Sequence, residues 1–113
     1  MEDLLQVFKS LSDRNRFRII CILTSHERLC ACQITDLLNV KGATSSRHLQ
    51  KLVHCNLISS SKEGRWVFYR LNRDNSYLNL FFPLIRDMIE KDSQLQQDIV
   101  TVKNLNCGIA QEI

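Results

Sequence analysis

Between Cys30 and Leu71 the chain runs through two short stretches of helical apolar spacing, a polar break between them, and two β-favouring runs. Few folds accommodate that order. Cys30 to Leu38 predicts a short helix, the polar, Gly-bearing Asn39-Val40-Lys41-Gly42 predicts a turn, and Thr44 to Val53 resumes helical spacing through Leu49, Leu52 and Val53. Leu57-Ile58-Ser59-Ser60-Ser61 and Trp66-Val67-Phe68-Tyr69-Arg70-Leu71 favour strands, with Lys62-Glu63-Gly64-Arg65 as a hairpin loop. The expectation is helix, tight turn, helix, followed by a wing.

Leu4, Leu5, Phe8 and Leu11 recur at helical spacing ahead of this unit, and Ser12-Asp13 offers a cap for a second helix striped by Phe17, Ile20 and Cys21, with Ile19 and Leu23 alongside. That helix should fade near Thr24-Ser25-His26. After the wing, Leu78, Phe81, Phe82, Ile85, Met88 and Ile89 mark another amphipathic helix, which Pro83 should bend or divide. Residues from about 92 to 113 are expected to form a tail. The 113 residues fit one domain, 1–113, with a modest core. In so small a chain the apolar first and last helices have few internal partners, so they are expected to meet their counterparts in a homodimer. The fold class expected is mainly α with a small β-hairpin, a winged helix-turn-helix.

Charge is segregated along the chain. From residue 41 to 73 there are seven basic residues, Lys41, Arg47, Lys51, Lys62, Arg65, Arg70 and Arg73, against Glu63 alone, whereas the whole chain carries only +3. Such a segment is the footprint of a surface that meets phosphates, with a merely solvated basic face as the bland alternative. The second helix of the pair offers Thr44, Ser45, Ser46, Arg47, His48, Gln50 and Lys51 to double-stranded DNA. Arg and Gln read base edges, whereas Ser, Thr and Lys more often hold phosphate; His48 suits either a DNA contact or a structural hydrogen bond. Lys62 and Arg65 flank the wing tip. A symmetric dimer implies an operator with inverted half-sites about one helical turn, or a multiple, apart. An acidic start at Met1-Glu2-Asp3 and apolar runs too short to span a bilayer predict a soluble cytoplasmic protein with no membrane partner.

Five cysteines in a reducing compartment read as buried thiols or metal ligands rather than a disulfide framework. Cys30 and Cys32 are the notable pair, because two soft ligands side by side select soft ions. On a regular helix, positions i and i+2 lie about 200° apart, so one ion held by both should distort the helix start. Two structural thiols, or an oxidant-sensitive pair in a redox-responsive repressor, are the alternatives. A thiol metal carrier is a third, and it leaves the basic wing unexplained. Cys21 lies on an apolar stripe and is expected in the core, and Cys55 closes the reading helix in a structural role. Cys107, in Asn104-Leu105-Asn106-Cys107-Gly108, is either a spectator or free to move to an ion. Cysteine beside His26, His48 or His54 is the only hint of a nucleophile and base, and no phosphate loop, paired carboxylates or nucleophile elbow supports it. Neither an enzyme nor an organic cofactor is expected.

From about Phe8 to Leu71 the chain resembles the ArsR family of metal- and metalloid-responsive bacterial repressors. Phe8-Lys9-Ser10-Leu11-Ser12-Asp13 with Arg16-Phe17-Arg18-Ile19-Ile20 looks like the family's opening, Ser46-Arg47-His48-Leu49 with Leu52 like its recognition helix, and Gly64 to Leu71 like its wing. Leu29-Cys30-Ala31-Cys32-Gln33-Ile34 resembles the Leu-Cys-Val-Cys-Asp-Leu box of its arsenic, antimony, cadmium and lead sensors. The resemblance implies a repressor that binds As(III) or Sb(III) as inducer through cysteine thiolates and releases its operator. It also implies that Lys62 and Arg65 reach the DNA backbone or a minor groove. Several arsenic sensors carry a further Cys where this chain has Thr35, and some use cysteines near a chain end, which makes Cys107 the candidate third ligand. The last long helix holds no His, against the zinc site that other members build there.

Overall fold

Ser12 closes one helix and Asp13 opens the next: the Asp13 carboxylate accepts the Arg16 backbone N–H at 3.0 Å, satisfying one of the donors a helix start leaves open. The computed structural model describes residues 1–105, and in it the helices are α1 (Glu2–Leu11), α2 (Arg14–Ser25), α3 (Ala31–Leu38), α4 (Gly42–His54), α5 (Ser76–Lys91) and α6 (Ser93–Lys103). The strands are β1 (Leu29–Cys30), β2 (Ile58–Glu63) and β3 (Trp66–Leu71), antiparallel in the order β1-β3-β2. The centre of the core is α2, where Ile19, Ile20, Cys21, Ile22 and Leu23 are all fully buried. A helix apolar on every side has to be covered on every side, and α1, α4, α6 and β3 pack around it.

The helix-turn-helix follows its local chemistry. Asn39 ends α3 in the left-handed region (φ 54°, ψ 48°), a conformation Asn tolerates better than most residues, and α4 begins three positions later. At the far end of α4, Asn56 is again left-handed (φ 61°), while the Leu57 N–H bonds the Leu52 carbonyl and the Asn56 N–H that of Val53. That double bond pattern turns the chain directly into β2.

Four expectations are corrected. The wing loop is two residues, Gly64-Arg65, rather than four: Lys62 and Glu63 belong to β2 and Glu63 pairs with Trp66. Gly64, at φ +63°, supplies the positive φ that a two-residue hairpin needs at its first loop position. A third strand, β1, pairs with β3. Pro83 does not divide α5, which runs unbroken through it. Residues 93–103 form a packed helix instead of a tail, with Leu95, Asp98 and Val102 buried.

Candidate nucleic-acid interface and thiol site

Helix α4 has two unlike faces. Leu49 and Leu52 are buried in the core, while Ser46, Arg47, Gln50 and Lys51 are exposed on the opposite side. Thr44 is half-buried. Ser45 is a correction, because it is 1% exposed and its hydroxyl accepts a hydrogen bond from Thr35 Oγ1 at 2.8 Å. It ties α3 to α4 and does not face solvent. The same Thr35 oxygen lies 2.8 Å from the Ala31 carbonyl within α3, so its single proton serves one of these two acceptors at a time.

His48 is likewise turned inward. Arg16 Nη1 lies 3.2 Å from His48 Nδ1, and the Arg16 Nε donates to the Ser10 carbonyl at 3.0 Å. Burial lowers the imidazole's pKa, and the neighbouring Arg16, Lys51 and Arg47 charges add to this against the pull of Asp13. A neutral ring accepts from Arg16 and carries its proton on Nε2. For Asp13, burial alone would raise the pKa, but the Arg16 N–H and the Arg16 and His48 charges hold it below the usual carboxylate range.

A folded-state pKa depressed below that of the unfolded chain means that the unfolded chain binds the proton first. Stability is therefore retained above about pH 6.5 and lost as pH falls below it towards the folded value. A melting temperature that drops on acidification below about pH 6.5, less steeply in His48→Gln, is the expected result in thermal melts. Equal pH slopes for the two proteins would remove His48 as the cause.

Beside the exposed face of α4 opens a cleft of about 500 Å³, lined among others by Lys9, Arg16, Arg47, Lys51, His54 and Cys55. Lys9 and His54 had no sequence signal as interface residues, since only the packing of α1 beside α4 brings Lys9 to this face. Lys62 and Arg65 are exposed at the end of the wing, and the Arg65 guanidinium lies 5.1 Å from the Trp66 ring centre.

The cysteine pair sits where β1 becomes α3. Cys30 is 2% exposed and is the N-cap of the helix: its Sγ accepts the Cys32 N–H at 3.4 Å, and Gln33 Oε1 accepts the Cys30 N–H at 2.8 Å. Cys32, half-buried, is the second helical residue and is disulfide-bonded, which corrects the expectation that both members of the pair are thiols; Cys30 is the free one. Since Cys30 is extended (φ −74°, ψ 147°), the 200° separation expected for two helical positions does not apply to the pair. Gln33 also donates to the Leu105 carbonyl, which brings the chain after α6 to the start of α3. Cys107 lies outside the described residues.

The other cysteines are elsewhere. Burial, with the Asp98 and Asp92 charges, pushes the Cys21 thiol up to about 12, so it stays protonated in the core. Cys55 lies 3.1 Å from the Ser10 hydroxyl, linking α1 to the end of α4. Among the described residues no cluster of three or more His, Cys, Asp and Glu side chains stands ready to hold a metal ion, and no helix is long and apolar enough to cross a membrane.

Helix-turn-helix, basic reading face and hairpin wing together define a transcriptional regulator of the winged-helix class. Comparison with known proteins gives the same class: residues 13–60 match the model of bacterial regulatory proteins of the arsR family. A cadmium resistance regulatory protein CadC homolog of Staphylococcus aureus is 28% identical over 100 residues, covering 88% of this chain and 75% of the relative. The arsenic resistance transcriptional regulator ArsR2 of Pseudomonas putida is 41% identical over 66 residues, little more than half of either chain (58% and 57%). Among solved structures, the homodimeric winged helix-turn-helix DNA-binding domain of Mb0332 from Mycobacterium bovis superposes with a TM-score of 0.66 at 22% identity, covering 81% of this chain and 82% of that one. The chain belongs to the arsR family and is a regulator of transcription, not an enzyme.

Proposed function

We propose that this regulator is a cytoplasmic homodimeric repressor that holds an operator of inverted half-sites and lets go when Cys30 and Cys32 take up trivalent arsenic or antimony. The placement of both sulfurs at the junction of β1 and α3, one element before the reading helix, is the observation that carries the reading. Soft thiolates suit these ions; once a cellular dithiol has reduced the disulfide at Cys32, itself becoming a disulfide, arsenous acid condenses with three thiols to give one pyramidal arsenic tris-thiolate and three waters. Cys107 is the candidate third thiol.

Dimerisation through α1 and α5 is supported by an exposed apolar surface along both. Leu5 and Phe8 on α1 and Leu80 and Leu84 on α5 are each about half exposed or more, and Phe8 meets Phe81 edge to face with ring centres 5.3 Å apart.

On the DNA side, Ser46, Arg47, Gln50 and Lys51 face the major groove while Lys62 and Arg65 reach the backbone from the wing, with Thr44 at the start of the reading helix. Arg47→Ala is expected to cost about 1–3 kcal/mol and to relax preference at one base pair. Lys62→Ala should weaken all sequences alike and reduce the salt slope by about one. Competition titrations at several salt concentrations check both. The test of the whole reading is an anisotropy titration of the reduced protein on a palindromic promoter duplex, with and without arsenite: tight salt-dependent binding that arsenite weakens supports it, and indifference to arsenite overturns it.

A further inference from the structure

The cleft of about 500 Å³ opens where α1, α2 and α4 meet, and its lining carries Lys9, Arg16, Arg47, Lys51 and His54 but no carboxylate. Arg47, Gln50, Lys51 and His54 follow one another at helical spacing, so the reading stripe of α4 continues without a break into the cleft. Arg16 is engaged with the Ser10 carbonyl and His48. Lys9, Arg47, Lys51 and His54 are exposed, and among the described residues none of the four meets a carboxylate at ion-pair distance. No aliphatic or aromatic hydrophobic residue lines the cleft, which leaves it without the apolar walls that hold a small organic ligand. No wing residue lines it either, so it is built from helices alone.

We propose that this cleft is a phosphate subsite, in which Lys9 of α1, together with Lys51, holds the sugar-phosphate backbone of the operator beside the base pairs that α4 reads. The inference rests on the reading that α4 enters the major groove. A helix in that groove, about 12 Å wide, has a backbone at each wall. Lys62 and Arg65 of the wing serve one wall, and the cleft serves the other. A lysine ammonium is a point charge that suits phosphate and carries no base information. The rival role needs no ligand: Lys9 and Lys51 stand in the last turns of α1 and α4, where a cation offsets the negative end of the helix dipole. The two roles separate, because a dipole contribution shows in stability and a phosphate contact in counterion release.

His54 also borders a smaller hollow lined by Asp3, which makes Lys9 the cleaner probe. The experiment compares the full-length natural chain, Lys9→Gln and Lys9→Arg on an operator duplex and on a random duplex, between about 50 and 200 mM salt. Lys9→Gln is expected to weaken both duplexes alike, by about three- to fivefold at the low-salt end, the reach of an exposed charge pair. Its salt slope should fall by about one, so that raising the salt across that range costs it about fourfold less affinity than it costs the natural chain. Lys9→Arg should keep the natural slope. Replacing single backbone phosphates with uncharged methylphosphonates locates the contact: at a position flanking the half-site the change weakens the natural chain and leaves Lys9→Gln unaffected. An unchanged salt slope in Lys9→Gln, whatever its melting temperature, would overturn the proposal, as would a methylphosphonate scan in which every position affects both proteins equally. Lys9-dependent binding of inorganic phosphate with the DNA salt slope unchanged would mean a free-anion site and would overturn it too. If the natural chain bound neither duplex with salt dependence, the DNA reading itself would fail, which its own titration shows before any variant is compared.

Discussion

A Cys30→Ser, Cys32→Ser double variant is expected to bind the operator as the natural chain does while losing the arsenite response altogether, a collapse of up to about 100-fold in regulated affinity. The substitution spares the fold for a physical reason. Cys30 caps α3 through its sulfur at 3.4 Å, and serine is among the preferred caps, so the backbone N–H keeps an acceptor. What disappears is the soft donor, because a neutral hydroxyl binds trivalent arsenic poorly beside a thiolate. Anisotropy titrations with and without arsenite make the measurement. Retention of the arsenite effect in the double variant would refute the site. Cys107→Ser, which leaves the Gln33–Leu105 contact in place, should weaken arsenite uptake without changing operator affinity.

The largest effect on stability is expected from Asp98→Ala. Arg18 donates to Asp98 from Nε at 2.7 Å and from Nη2 at 2.9 Å, Gln94 adds a third bond at 2.8 Å, and the carboxylate is 1% exposed. That carboxylate bonding raises the pKa of Arg18, so the charge pair is secure. Truncating Asp98 leaves the half-buried Arg18 guanidinium, 15% exposed, without its partner, which costs about 3 kcal/mol, the low end for a buried pair, or a fall in melting temperature on the order of 10 °C for a domain of this size. Replacing both partners together, Arg18→Met with Asp98→Leu, should recover most of the loss, because no unpaired charge remains. Thermal melts decide: a fall below about 5 °C for Asp98→Ala would mean that this pair does not fasten α6 to α2.

The wing and the helix-turn-helix were legible because each rests on short-range chemistry. Alternation and β-branched or aromatic residues marked β2 and β3, Gly64 marked the loop, and the Asn39 turn separated two amphipathic helices. Strand β1 was not legible, since two residues carry no periodicity and Leu29-Cys30 become a strand only when β3 lies alongside. Helix α6 was missed for a related reason: its stripe of Leu95, Asp98 and Val102 includes a charged residue, and an aspartate reads as inward-facing only once Arg18, eighty positions earlier, is known to meet it. The same limit applied to Ser45 and His48. Both types suit DNA contact, and only the packing of α3 and α2 against α4 turned them inward.

By itself, then, the sequence determined the order of elements, the basic reading surface, the cysteine pair and the family, all of which depend on residues within a few positions of one another. The tertiary structure alone decided that Cys30 is a cap and strand end rather than a helical residue, that Arg28 meets both strands of the wing through Phe68 and Glu63, and that α6 delivers the following chain to α3. Those arrangements pair groups 35 to 80 positions apart, Arg28 with Glu63 and Arg18 with Asp98, and no local pattern encodes them because the energies that fix them arise only when the core closes.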